Sequence, residues 1–329
     1  MTAAEGLFAL IESWSGICLE RGGAGESLQR FLHGRTRELG LPSIDAYLTL
    51  LDGPLRAERD RLLDAVTVNY TWFYRDGEQL DDVVKLLRDG WPGGAALNVW
   101  VPGCATGEDA YSMAMLARLA GREAYVLGTD VNSASVAFAK EARYGSWAMR
   151  ELPADLWRFF APSGKGAHRV VDELRERVVF ERHNLVEPPR QAPGGGWDLI
   201  LCRNVLIYFS RARADETHER LGASLAPGGW LLIGASEAVY QEPAGLRLAR
   251  LGGRAALFRP GQGADAVPGW EAPALRAALF LGGVEGRRAR AGAKARRGAL
   301  TTARSFRPGR ARRARRIGPT ADRAELDSG

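Results

Sequence analysis

The sequence predicts an α/β chain: a helical N-terminal region, then a doubly wound sheet carrying a small antiparallel insertion. Three observations predict it. Apolar residues recur at helical spacing from residue 1 to about residue 90. From Trp91 the rhythm changes to short apolar runs that alternate with helix patterns, as in a parallel sheet covered on both faces. One stretch, Pro162 to Phe180, breaks that alternation.

The helical region is read from Leu7, Leu10, Ile11 and Trp14, then Leu28, Phe31 and Leu32, then Tyr47, Leu48 and Leu51, then Leu55, Leu62, Leu63 and Val66. Gly22–Gly23, Gly40–Pro42 and Gly53–Pro54 punctuate these groups. Trp91-Pro92-Gly93-Gly94 is a breaker ahead of a first strand, Leu97–Val101. A helix follows over about Glu108–Leu119, and a second strand, Ala124–Thr129, ends at Asp130. Asn132 or Ser133 can cap the next helix. Val178–Glu181, Leu199–Cys202 and Leu231–Gly234 read as further strands, with a helix near Arg213–Leu225 that stops at Pro227-Gly228-Gly229. The insertion is expected over about residues 160–182. The expected domains are therefore 1–90, helical; 91–260, α/β; and a tail over 261–329.

Composition narrows the class. At 329 residues the chain can hold two ordinary domains of roughly 100–200 residues. Hydrophobic residues make up 46% and charged residues 26%, which suits a packed core in water. Cys18, Cys104 and Cys202 are odd in number and form no CxxC pair, and the four histidines are scattered. Neither a disulfide framework nor a metal site is expected. There is no signal-peptide pattern and no run near the ~20 apolar residues that span a bilayer, so the chain is expected to be cytoplasmic, without membrane insertion. The net charge of +6 belongs to the tail, where 15 Lys+Arg face 6 Asp+Glu from Gly261 onward. The tail is rich in Gly, Ala and Arg, has few large apolar residues, and is expected to be disordered apart from one short helix near Pro273–Leu281. It reads as a solvated extension; contact with acidic surfaces is the alternative. Phe306 stands alone among its arginines, so no nucleic-acid partner is expected.

The chemistry starts where the first strand ends, in Val101-Pro102-Gly103-Cys104-Ala105-Thr106-Gly107-Glu108. Ligands of open α/β sheets bind beyond the carboxyl ends of strands. A glycine-rich turn there lets backbone approach a nucleotide, and Asp130 at the next strand end can accept hydrogen bonds from ribose hydroxyls. These features fit nicotinamide enzymes and methyltransferases alike, and the glycines could simply shape a tight turn. One detail favours a methyltransferase. The turn is Gly-x-x-x-Gly, and Glu108 opens the helix, where a carboxylate would repel a pyrophosphate but suit the cationic methionine end of S-adenosylmethionine.

Four blocks then carry a family resemblance. Thr71-Trp72-Phe73-Tyr74-Arg75-Asp76 resembles the Thr-x-Phe-Phe-Arg motif of chemotaxis protein-glutamate O-methyltransferases of the CheR type. Gly103 to Ser112 is similar to that family's cofactor turn, Cys202-Arg203-Asn204-Val205-Leu206-Ile207-Tyr208-Phe209 to its most distinctive block, and Gly228-Gly229 with Gly234-Ala235-Ser236-Glu237 to its closing strand. The blocks stand in family order over about residues 5–260. The resemblance implies a helical N-terminal domain, an S-adenosylmethionine-dependent methyltransferase domain and a small inserted β-subdomain. It implies that Asn69, Thr71 and Arg75 line the methionine end of the cofactor and the substrate channel. Glu108 would hold the methionine amino group, Asp130 the ribose, and Asn184 and Leu185 the adenine. Asn204 and Val205 would add contacts, and Tyr208 would stand near the reacting methyl. Arg75 and Tyr208 are thus the expected catalytic residues. The implied partner is the cytoplasmic domain of a methyl-accepting chemoreceptor, whose glutamates become methyl esters for sensory adaptation while S-adenosylhomocysteine is released.

Some positions depart from the family. Tyr74 replaces the second Phe, Trp72 is bulky, and the insertion around Ser163–Arg175 is short for gripping a receptor's C-terminal pentapeptide. Two other readings remain open at this stage. One is the same fold acting on another acceptor, and the other is a non-catalytic module that senses the cofactor.

Overall fold

A computed structural model describes residues 3–19, 25–53, 56–91, 96–237, 239, 242–251 and 254–261. The expected basic tail and the helix near Pro273–Leu281 lie outside the described residues.

The N-terminal region is helical, as its spacing predicts: α1 (Ala3–Ser15), α2 (Gly25–Glu38), α3 (Ile44–Asp52), α4 (Arg56–Val66) and α5 (Gly77–Lys85). The apolar stripes of the first four meet in one core of Leu7, Ile11, Leu28, Leu32, Tyr47, Leu51, Leu62, Leu63 and Val66. Inside it, the Arg35 guanidinium donates to both carboxylate oxygens of Glu58, at 2.6 and 2.7 Å, and the Tyr47 hydroxyl adds a third bond at 3.0 Å. A buried carboxylate so fully partnered costs little to bury.

The second part is a seven-stranded sheet. Its strands are β1 (Leu97–Pro102), β2 (Ala124–Asp130), β6 (Val178–Arg182), β7 (Trp197–Cys202), β8 (Leu225–Ile233), β9 (Arg247–Leu251) and β10 (Arg254–Phe258). Their order is β6-β2-β1-β7-β8-β10-β9. The first five are parallel, and β10 and β9 close the edge antiparallel. Strands buried on both faces explain the near-continuous apolar runs. In β1, Leu97, Val99 and Val101 join one core while Trp100 joins the core on the opposite face. Helices α6 (Glu108–Leu119), α7 (Ser133–Glu141) and α9 (Arg211–Ala223) connect the parallel strands, and the Asn132 side chain caps α7 by accepting from Ser135 N.

Two expectations shift. Pro227-Gly228-Gly229 does not end a helix; α9 stops at Ala223, and the three residues lie within β8, next to a register shift between Trp197 and Leu199. The small antiparallel sheet, β3 (Arg143–Tyr144), β5 (His168–Val170) and β4 (Phe160–Pro162), begins well before the expected 160–182. Val178–Arg182, included in that range, pairs with β2 in the large sheet, with α8 (Asp172–Arg175) leading into it. No helix of the described residues is long and apolar enough to cross a membrane.

Candidate functional site

The strand order reverses between β1 and β7, where β1 has partners from both directions of the chain. A crevice forms at such a reversal, beyond the carboxyl ends of the strands. An open cavity lies there, lined by residues of the strand ends and of the helical region. Four strand ends supply its floor: Gly103, Cys104 and Ala105 after β1, Asp130 and Val131 at β2, His183, Asn184 and Leu185 after β6, and Arg203, Asn204 and Val205 after β7. Helical-region residues supply the roof: Ser15, Ile17 and Leu19, then Val66 to Thr71, and Arg75.

Each strand end is held in a specific shape. At Gly103, φ is +67° and a Cβ would stand 2.4 Å from Val205 Cγ2, so only glycine lets the β1 turn lie against the β7 turn. Asp130 faces that turn. Its Oδ2 accepts from Ala105 N and its Oδ1 from Asn132 N, each at 2.8 Å. Burial pushes its pKa up, against those two N–H donors. The β7 turn is held from below by Glu237, whose carboxylate accepts from Asn204 N, Val205 N, Leu206 N and Gly234 N at 2.7–2.9 Å. These bonds hold Asn204 at φ +60°, a conformation that asparagine tolerates better than most residues.

The loop carrying Thr71 to Asp76 is sorted residue by residue. Phe73 is buried edge-on against Tyr144 and Phe160, at 4.7 and 5.0 Å, and its N–H donates to Ala148 O. Thr71 and Arg75 face the cavity. Arg75 donates to Tyr70 O at 3.0 Å and lies over the Trp72 ring at 4.7 Å, a stacked contact that steadies a guanidinium without spending its charge on a carboxylate.

Of the residues expected at the site, Asn69, Thr71, Arg75, Asp130, Asn184, Leu185, Asn204, Val205 and Tyr208 all stand on the wall of this one cavity. Glu108 is set back from it. Its carboxylate accepts from Thr106 Oγ1 at 2.6 Å, and burial pushes its pKa up to about 7. The acid that reaches the wall is its neighbour Asp109. Adjacent residues on a helix point about 100° apart, so one of the pair had to turn inward. Asp109 is engaged bidentately by Arg203, at 2.5 and 3.2 Å, and Arg203 also donates to Arg75 O at 2.9 Å. Arg203, whose side chain is fully buried, thus ties the β7 turn, the start of α6 and the Arg75 loop together. Sequence reasoning quoted Arg203, Asp109 and Glu237 within motifs but gave them no role; apart from Gly234, their partners are between 31 and 128 residues away in the chain.

The wall suits an amphipathic ligand. Leu185, Val131 and Ile17 offer apolar surface, and Asn204 Oδ1 is buried without a protein partner. His183 also lines the cavity, with neither ring nitrogen hydrogen-bonded, and burial pushes its pKa down to about 4, so it is neutral at pH 7. Among the described residues, no group of three or more His, Cys, Asp or Glu could hold a metal ion.

Comparison with known proteins agrees with this geometry. A family profile described as "CheR methyltransferase, SAM binding domain" matches residues 69–251. The chain is 32% identical over 268 residues to "Chemotaxis protein methyltransferase 1" of Pseudomonas aeruginosa, covering 74% of this chain and 94% of that protein. It is 32% identical over 239 residues to "Chemotaxis protein methyltransferase Cher2" of Pseudomonas putida, covering 67% and 86%. It is also 33% identical over 226 residues to an uncharacterised 104.1 kDa protein of Rhodobacter capsulatus, covering 65% of this chain but 23% of that longer one. Strand order, cavity and sequence agree, and the chain belongs to the CheR methyltransferase family, with its S-adenosylmethionine-binding domain over residues 69–251.

Proposed function

We propose that the protein transfers the methyl group of S-adenosylmethionine to glutamate side chains of methyl-accepting chemoreceptors, forming glutamate methyl esters and S-adenosylhomocysteine. The observation that carries this reading is a free-facing guanidinium, Arg75, in the roof of the cavity that also holds Asp130 and Tyr208. The names of the relatives support the chemotactic context.

The assigned roles are as follows. Asp130 accepts from the ribose hydroxyls. Asn184 and Leu185 flank the adenine, with Asn204 and Val205 adding contacts. Asn69 and Thr71 line the methionine end, and Glu108, set back behind Asp109, is assigned the methionine amino group, which it reaches by turning its side chain from Thr106 toward the cavity. S-adenosylmethionine, when bound, supplies a methyl group activated by a sulfonium. A glutamate carboxylate has an ordinary pKa of about 4.3, so it is ionised at neutral pH and needs no general base. The protein must therefore desolvate and aim it. Arg75 does this with the two parallel hydrogen bonds that a guanidinium gives a carboxylate. Tyr70 O and the Trp72 ring hold Arg75 from behind. Tyr208 keeps its hydroxyl protonated, since burial raises its pKa despite the opposing Arg75 charge, and an aromatic ring there favours a nearby cation.

The test is methyl transfer from labelled S-adenosylmethionine to cytoplasmic chemoreceptor fragments. Label released as methanol by mild base identifies a carboxyl ester. Label that resists base, or that reaches only small molecules, would refute the acceptor assignment.

A further inference from the structure

An exposed group of aromatic rings and guanidiniums stands where the cavity opens. Tyr70, on the cavity wall yet 57% exposed, packs edge-on against Trp72 at 5.5 Å and against Trp147 at 5.2 Å. Trp147 is itself 49% exposed. The exposed Arg150 side chain lies between the two tryptophans, its guanidinium carbon 3.9 Å from the Trp72 ring centre and 3.8 Å from that of Trp147. Arg75 stacks on Trp72 as well, so the group runs without a break from Arg75 in the cavity to Arg150 at the surface.

The patch is built on two chain segments held firmly together. Phe73 N donates to Ala148 O at 2.9 Å, and Trp72 Nε1 donates to Glu151 Oε2 at 2.7 Å. Ala148 and Met149 are buried beneath it. Folding alone gives no reason to leave two large rings in water, and exposed apolar groups beside a binding cavity mark contact surfaces. Trp, Tyr and Arg are the side chains that dominate protein–protein binding energy, because they offer large rigid area with a polar or charged edge. Two guanidiniums against the one carboxylate of Glu151 leave the patch positive.

We infer that Tyr70, Trp72, Trp147 and Arg150 form the acceptor-docking surface, taking a carboxylate-bearing segment of the acceptor protein next to the glutamate that enters the cavity. This rests on the proposed carboxylate acceptor. The rings receive the apolar stems of the segment's side chains, and Arg150 receives a second carboxylate while Arg75 receives the first.

The test uses the full chain and two variants outside the cavity wall, Trp147→Ala and Arg150→Glu. The probes are a labelled glutamate-rich peptide and its glutamine counterpart, followed by fluorescence anisotropy. S-adenosylhomocysteine binding by calorimetry serves as the control for folding. Each variant should weaken the glutamate peptide by about tenfold or more, and should bind S-adenosylhomocysteine as the parent does. The glutamine peptide should bind the parent clearly less well than the glutamate peptide. Equal peptide binding by parent and variants overturns the inference, as does a parent that binds neither peptide or does not distinguish them. A variant that changes only the oligomeric mass assigns the patch to a second copy of the chain, and also overturns it. Parallel methyl-ester assays separate the two ideas. Esters formed with unchanged KM in both variants sink the docking surface alone; absent esters in the parent, with peptide binding intact, sink the carboxylate transfer alone.

Discussion

Arg75 combines a cavity-facing charge with neighbours that hold it without neutralising it. Its guanidinium is engaged by a carbonyl and an aromatic face. Arg75→Ala should therefore abolish methyl transfer while leaving S-adenosylhomocysteine affinity within about tenfold, or about 1.4 kcal/mol. Full activity in that variant would show that the acceptor is aimed by another group. Glu108 is the second informative residue. Burial lifts its carboxyl to about 7, so in the ligand-free protein it is partly protonated at neutral pH. A cationic amino group beside it would favour the charged form and expel the proton. The sign follows: only the deprotonated carboxyl pairs with the ammonium, so affinity for S-adenosylhomocysteine rises as pH rises through about 7 and weakens below it. Calorimetry in buffers of different ionisation enthalpy should detect proton release on binding in the parent, and less release in Glu108→Gln. Identical proton counts would remove Glu108 from the ligand's charged end.

The elements that matter most are the strand-end turns, since their backbone sets where the side chains stand. The β7 turn hangs on Glu237, which accepts from Asn204, Val205 and Leu206 and from Gly234 at the end of β8. Glu237→Gln keeps the shape but replaces one acceptor oxygen with a donor facing N–H groups. A buried donor left without a partner costs about 1–3 kcal/mol. Urea unfolding should show a loss in that range, accompanied by weaker S-adenosylhomocysteine binding as Asn204 and Val205 move. Unchanged stability would mean that the turn holds its own shape. The Arg203–Asp109 pair has a similar positioning role, because a buried guanidinium bonded to Arg75 O fixes the loop from which Arg75 projects. Positive φ marks Ala105 and Asn204 in these turns and Tyr74 and Asp76 in the loop that carries Arg75. Strain of this kind persists only where surrounding bonds over-determine the backbone.

At the scale of the molecule, the helical region completes the cavity. The end of α1 and the segment after it are tied to the β6 and β7 loops: Asn184 Nδ2 donates to Trp14 O at 2.5 Å, and Cys18 N donates to Tyr208 O at 2.7 Å. Gly16, at φ +77°, lies so close to Phe209 that a Cβ would stand 2.5 Å from its ring. Lower down, Asn132 Nδ2 reaches Asp64 O and Thr67 Oγ1, and Arg182 pairs with Asp60 at 2.6 Å. Removing residues 1–19 should therefore open the roof and weaken S-adenosylhomocysteine binding by tenfold or more, an effect calorimetry would read directly. Unaltered affinity in a folded truncate would show that the four strand ends suffice.

Much of this was legible in the linear chain, for physical reasons. The period of the apolar residues decides helix or strand, so α1 to α4, β1, α6 and β2 fall where the pattern puts them. The antiparallel pair β9 and β10 is not legible in the sequence, because arginines interrupt its short alternation. The β-subdomain boundary slipped because two-residue and three-residue strands carry almost no periodic signal. Local motifs likewise named the residues around the cavity, since a turn's glycines and a strand-end acid are fixed by neighbours in sequence. Which of Glu108 and Asp109 faces the cavity, that Arg203 links Asp109 to the Arg75 loop, and that Tyr70, Trp72, Trp147 and Arg150 meet at the mouth were decided only by tertiary structure. Side-chain direction and long-range pairing depend on how distant elements pack, and sequence spacing holds no record of that distance.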